Sequence, residues 1–261
     1  MRTRIFQVDA FTRQRFSGNP AAVMPLESFP PDAVLQALAA QNNLSETAFL
    51  VGGDGEYRLR WFTPTVEVPL CGHATLASAA VVLEKLEPGR AAVTFHTASG
   101  PLHVARAAHG YVMDFPARPT LPAKVSDALV HALGATPQAV RADAINYLVV
   151  LEDERTVRTL RPDIAAIAAL DRQGVIVTAR GSGEYDCVSR YFTPARGVPE
   201  DPVTGSAHCA LAPYWAERLG KPVLHAYQAS RRSGELTCRV RGERVELEGS
   251  CMFYLEGQAD I

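Results

Sequence analysis

The sequence has no surplus of basic residues: 26 Lys and Arg stand against 28 Asp and Glu, for a formal net charge of −2. No positive surface follows from such a balance, which argues against nucleic acid and anionic membranes as partners. Long apolar runs are missing too. Stretches such as Ala77–Leu83 and Tyr147–Leu151 fall well short of the ~20 residues that span a bilayer. The start, Met1-Arg2-Thr3-Arg4-Ile5-Phe6-Gln7, meets Asp9 before a secretory apolar core can form, so the expectation is a soluble, cytoplasmic protein. The five cysteines (Cys71, Cys187, Cys209, Cys238, Cys251) are odd in number and form no Cys-x-x-Cys, which argues against a disulfide framework or a zinc knuckle. Low-complexity segments and charge runs are absent, and an apolar fraction of 47% is enough for a full core.

What the chain does contain is a repeat. Arg60-Trp61-Phe62-Thr63-Pro64 recurs as Arg190-Tyr191-Phe192-Thr193-Pro194, and Val68-Pro69 recurs as Val198-Pro199 at the same spacing. Cys71 then aligns with Asp201 and, after a three-residue insertion, Gly72-His73-Ala74 aligns with Gly205-Ser206-Ala207. The period is far longer than the roughly 20–50 residues of a solenoid unit. It suits two related domains, expected at 1–118 and 119–261, with the last strand packing on the first half and the proline-rich Pro116–Pro122 as linker.

Each half reads as strands joined by hairpin signals such as Gly52-Gly53-Asp54-Gly55, followed by one Gly-headed helix, about Gly72–Leu86 and Gly205–Leu219. Ala74, Leu76, Ala77, Ala79, Ala80, Val81 and Val82 make the first of these helices apolar nearly all round, as do Ala207, Ala210, Leu211 and Ala212 the second, and such helices are buried on most faces. The expected fold class is therefore α+β: two pseudo-symmetric domains, each a curved, mostly antiparallel β-sheet or barrel wrapped around a central helix.

A buried helix start presents unpaired N–H groups and a partial positive charge, an anion site that Gly leaves open to close approach. Two such starts, at Gly72-His73 and Gly205-Ser206, are expected to face one cleft and to hold a carboxylate. Cofactor-free racemases need an acid and a base on opposite faces of a substrate carbon, and Cys71 with Asp201 is one such pair; a packed thiol and a helix-capping aspartate are the alternatives. Glu46, at the mouth of the apolar strand Glu46–Val51, is a candidate proton carrier because apolar surroundings favour its neutral form. His73 is either a second proton carrier or a histidine satisfied in the core. Neither Cys71-x-His73 nor His208-Cys209 has a zinc-like spacing, so no metal is expected.

Together Asp9-Ala10-Phe11, Gly18-Asn19-Pro20-Ala21-Ala22-Val23, Leu44-Ser45-Glu46-Thr47-Ala48-Phe49, Phe62-Thr63-Pro64, Cys71-Gly72-His73-Ala74-Thr75 and Glu200-Asp201-Pro202-Val203-Thr204-Gly205-Ser206-Ala207 resemble the PhzF-like isomerase family, similar in fold to diaminopimelate epimerase. The resemblance implies Glu46 as general acid/base moving a proton between carbons of a cyclic amino-acid-like substrate, with His73 and Asp201 orienting substrate or relaying the proton. It also implies substrate contacts at Gly72, His73, Gly205, Ser206, Cys71 and Asn19, no cofactor, and homodimers. Racemisation with Cys71 and either Asp201 or Glu46, and a binding protein without turnover, are the competing expectations.

Overall fold

The computed structural model describes residues 2–261, which fall into two units. One runs to Asp114 and takes back Glu248–Ile261; the other is Phe115–Leu247. The division thus lies at Asp114/Phe115 rather than 118/119.

In the first unit the chain runs β1 (Arg2–Ala10), β2 (Asn19–Pro25), α1 (Asp32–Asn42), β3 (Glu46–Gly53), β4 (Glu56–Phe62), β5 (Glu67–Val68), α2 (Gly72–Val81), β6 (Ala92–Thr97), β7 (Gly100–Ala107) and β8 (Gly110–Pro116). Alternating side chains drive the strands: in β4, Tyr57, Leu59 and Trp61 are buried while Glu56 and Arg58 are exposed. Asp54 and Gly55, both at positive φ (54° and 77°), make the tight turn between β3 and β4. β2 and β3 are parallel, as are β4 and β6, and the other neighbours are antiparallel. Every residue of α2 from His73 to Val81 is buried, and the helix packs on β1, β2, β3 and β7. It ends sooner than the apolar pattern predicts. Residues Val82–Leu86 form a π turn, whose Leu83 carbonyl accepts a hydrogen bond from Arg106 Nη2 at 2.5 Å.

The second unit contains β9 (Leu121–Pro122), α3 (Asp127–Leu133), β10 (Ala139–Ala142), β11 (Asn146–Val150), α4 (Glu154–Thr159), α5 (Ile164–Ala168), β12 (Gly174–Arg180), β13 (Cys187–Thr193), β14 (Val198–Asp201), α6 (Gly205–Leu219), β15 (Val223–Gln228), β16 (Gly234–Arg241) and β17 (Arg244–Gly249). The stretch read as linker therefore carries β9. Strand β12 is buried on both faces: Val175, Val177 and Ala179 enter a cluster with Leu129, Val157 and Ile167, while Trp215 of α6 donates to Thr178 Oγ1 at 3.0 Å. The final β18 (Cys251–Asp260) returns to the first unit and pairs antiparallel with β1, from Arg2↔Asp260 to Ala10↔Cys251. Between β17 and β18 the chain passes close to Phe11: a Cβ on Gly249 would lie 2.5 Å from Phe11 Cδ1.

The strand order repeats. Parallel β2–β3, antiparallel β3–β4, parallel β4–β6 and antiparallel β6–β7 match β11–β12, β12–β13, β13–β15 and β15–β16. This structural match moves one register. Trp61 pairs with Val68, whereas the equivalent Tyr191 pairs with Asp201, and the helices begin at Gly72 and Gly205. The extra residues thus lie in the turn after Thr193, so Asp201 corresponds to Val68 and Thr204 to Cys71. The chance recurrence of Val-Pro hides the shift.

Candidate active site

Three elements of the first unit bring four of the singled-out side chains together. Asn19 opens β2 directly after Gly18, whose φ of 75° and close approach to the Ala10 carbonyl leave no room for a side chain. Glu46 opens β3, in register with Ala21 of the parallel β2, just after the left-handed Asn43 (φ 48°) that ends α1. Cys71 caps α2, with Gly72 and His73 as the first helical residues, and packing of α2 on β2 and β3 sets the imidazole between the two strand starts. His73 Nδ1 lies 3.1 Å from Asn19 Nδ2 and 3.5 Å from Cys71 Sγ, and Nε2 lies 3.1 Å from Glu46 Oε2. The His73–Glu46 contact is close but oblique, short of a well-aligned hydrogen bond. Asn19 is wholly buried, and the Glu46 side chain, 17% exposed against 6% for His73, is the member of that pair open to a small molecule.

Burial pushes the Cys71 thiol up to about 11, and the charge of Glu46 adds to the shift, so it is a thiol and a poor base at neutral pH. Burial also opposes a charge on His73, whereas Cys71 and Glu46, where they are anionic, draw one onto the ring. Donor atoms of Glu46, Cys71 and His73 lie within 4.8 Å of one another, the dimensions of a metal site. The imidazole, however, turns Nδ1 to the thiol and Nε2 to the carboxylate. Its two nitrogens point apart, so one ion in front of either nitrogen loses the ligand at the other.

In the second unit Asp201 ends β14 and Thr204 caps α6. The Thr204 hydroxyl donates to the Asp201 carboxylate. Gln228, fully buried at the end of β15, holds this loop: its Oε1 accepts from Thr204 N at 2.9 Å and its Nε2 donates to Asp201 O at 2.7 Å. Gly205 is buried and Ser206 half-buried on the first turn. One turn on, His208 donates from Nδ1 to Thr204 O at 2.8 Å, while its Nε2 is buried without a partner.

Burial holds the His208 pKa down to about 4, against a smaller opposing pull from the Thr204 carbonyl. Unfolded, it titrates near 6.5, so between those values the unfolded chain binds a proton that the folded chain refuses, and stability falls as pH drops. The term reaches on the order of 3 kcal/mol at pH ~4. His208→Gln is expected to flatten the loss of stability between about pH 6.5 and 4 in urea titrations. An unchanged slope would mean that His208 is not held neutral. His73 is present in both proteins, so its titration cancels in the comparison with the variant.

Residues 8–259 match the family model PhzC-PhzF, described as phenazine biosynthesis-like protein. The chain belongs to this family. An uncharacterized isomerase of Pseudomonas aeruginosa is 54% identical, over 98% of each chain. The crystal structure of a PhzF-family phenazine biosynthesis protein from Enterococcus faecalis superposes with a TM-score of 0.96 at 44% identity, covering 100% of both chains. More distantly, a hydroxyproline epimerase from Agrobacterium vitis, solved with bound trans-4-hydroxy-L-proline, shares the fold at a TM-score of 0.57 and 12% identity, over 99% of this chain and 91% of that one.

In this PhzF-family protein, an enzyme of the isomerase class with an epimerase-like α+β fold, the first unit gathers Asn19, Glu46, Cys71, Gly72 and His73. The second gathers Asp201, Gly205 and Ser206. Sequence reasoning passed over Thr204 and Gln228. Thr204 was readable as a cap before Gly205, whereas nothing local marks Gln228, which acts across 24 residues of chain. No described helix is long and apolar enough to cross a membrane.

Proposed function

We propose that this family member is a cofactor-independent isomerase in which Glu46 moves a proton within a small carboxylate-bearing molecule, cyclic and amino-acid-like. The observation that carries the reading is Glu46 itself: the more accessible partner in its pairing with His73, with only Oε2 facing the ring. General acid–base transfer by a side chain so placed contributes about 10²–10⁴-fold. Gly72 and His73 at the start of α2, and Gly205 and Ser206 at the start of α6, supply backbone N–H groups suited to a carboxylate. Asp201, tied to Thr204, orients substrate.

Racemisation through Cys71 is the competing chemistry, and the buried thiol, with its pKa raised to about 11, speaks against it. The test is a panel of small cyclic and acyclic amino acids and hydroxy acids in deuterium oxide, with chelator and without added cofactor. The wild type is expected to place solvent deuterium on at least one of them, and Cys71→Ser to keep a substantial fraction of that rate. Loss of exchange in Cys71→Ser would replace Glu46 by the thiol as the working base, and binding without exchange across the panel would leave a non-catalytic protein.

A further inference from the structure

Asn19 does not stand where a residue that grips substrate stands. It is fully buried, its backbone is locked into the β1–β2 ladder opposite Ala10, and its amide nitrogen points at His73 Nδ1 from 3.1 Å. An amide NH₂ only donates, so the nitrogen it faces must present a lone pair. With Nδ1 unprotonated, the ring's proton sits on Nε2, the nitrogen 3.1 Å from Glu46. We propose that Asn19 is a positioning residue that keeps His73 neutral, with its single proton on Nε2 facing Glu46.

The consequence for chemistry rests on the proposed isomerase reading. A neutral Nε2–H steadies the Glu46 carboxylate without pairing it to a full positive charge, so Glu46 keeps its ability to take a proton. An imidazolium in the same place would form an ion pair and weaken the base. The titratable groups that face the ring are Glu46 on β3 and Cys71 at the head of α2, and both favour the charged form. Asp9 on β1 acts instead on Cys251 of β18. A second proton on Nδ1 would set donor against donor at Asn19. The amide therefore opposes the pull of the carboxylate and the thiol, and a side chain of the same size without the donor cannot. Cys71 Sγ, 3.5 Å from Nδ1, draws charge onto the ring chiefly as a thiolate, and its raised pKa keeps it a neutral thiol at neutral pH.

The experiment reads His73 in the resting protein by long-range proton–nitrogen NMR on histidine-labelled full-length chain, with the His73 signals assigned by their loss in His73→Gln. Near neutral pH the wild type is expected to show an unprotonated Nδ1 and a protonated Nε2. Cys71→Ala is expected to keep that pattern. Asn19→Leu and Asn19→Asp are expected to raise the titration midpoint of His73 by at least about one pH unit, a tenfold gain in proton affinity. Asn19→Asp adds a charge of its own, so Asn19→Leu decides the midpoint, and if it fails to fold the wild-type tautomer decides the inference. Should Asn19→Leu leave the midpoint in place, should wild-type His73 be doubly protonated or carry its proton on Nδ1, or should Cys71→Ala alone release it, Asn19 does not set the state of the ring. None of these readings depends on turnover, so the isomerase assignment stands or falls separately in the deuterium experiment.

Discussion

Glu46→Gln is expected to lower substrate-dependent deuterium exchange by at least about 10²–10³-fold while the protein unfolds at nearly the wild-type temperature. Gln keeps the size of Glu and can still contact His73 Nε2, so the β2–β3 register and the start of α2 have no reason to move. What it loses is the only carboxylate of the cluster. No neighbour replaces it: the Cys71 thiol is protonated at neutral pH, and the Asn19 amide is neither an acid nor a base there. His73 is hemmed in by Asn19 and Cys71 at one nitrogen and by residue 46 at the other. A side-chain amide has no basicity near neutral pH, so the loss falls on the proton-transfer step and not on binding. Unchanged exchange in Glu46→Gln, with the fold intact, would remove Glu46 from the chemistry altogether.

The parts of this site that could be read in the sequence are those signalled locally. Helix α6 spans Gly205–Leu219 as the Gly start and apolar pattern indicate, and Gly220 closes it in the left-handed conformation (φ 68°). The helix at Gly72 was equally clear at its start but not at its end, because an arginine from β7 reaches its Leu83 carbonyl, an event no periodicity records. Helices α3 and α4 were missed. At seven and six residues they are too short to show a period, and only their caps, Ser126 and Asp153, mark them. For the site, motif reading named Glu46, Cys71 and His73 but not the side of the ring that each one meets. Counting along the repeat set Asp201 against Cys71, whereas strand pairing sets Thr204 there. Insertions shift a count silently, and only hydrogen-bond registers reveal where they lie. Buried polar partners such as Gln228 depend on packing between distant segments and leave no trace in spacing.

Arg190→Ala is expected to be the most destabilising charge removal in the repeat, and its twin Arg60→Ala one of the mildest. Both arginines hold a glutamate by two nitrogens: Arg190 with Glu200 at 2.7 and 2.9 Å, Arg60 with Glu67 at 2.7 and 2.7 Å. Their surroundings differ. The Arg190 side chain is 8% exposed, and its Nη1 also donates to the Leu160 carbonyl at 2.7 Å, tying the end of α4 to the strand that carries Asp201. Arg60 is 25% exposed and Glu67 40%. Removing Arg190 leaves the part-buried Glu200, 22% exposed, without its partner and the Leu160 carbonyl without its donor, at a cost of about 3 kcal/mol, the low end for a broken buried pair. An exposed pair is worth about 0–1 kcal/mol. For a chain of this size, at roughly 2–4 °C per kcal/mol, Arg190→Ala should lower Tm by on the order of 10 °C and Arg60→Ala by a few degrees at most. Replacing Arg190 and Glu200 together by Met and Leu should restore much of the loss, since the damage comes from the unpaired charge and not from the absent attraction. Equal shifts for the two single variants, or a double variant worse than Arg190→Ala alone, would show that desolvation of Glu200 does not govern the stability of this turn.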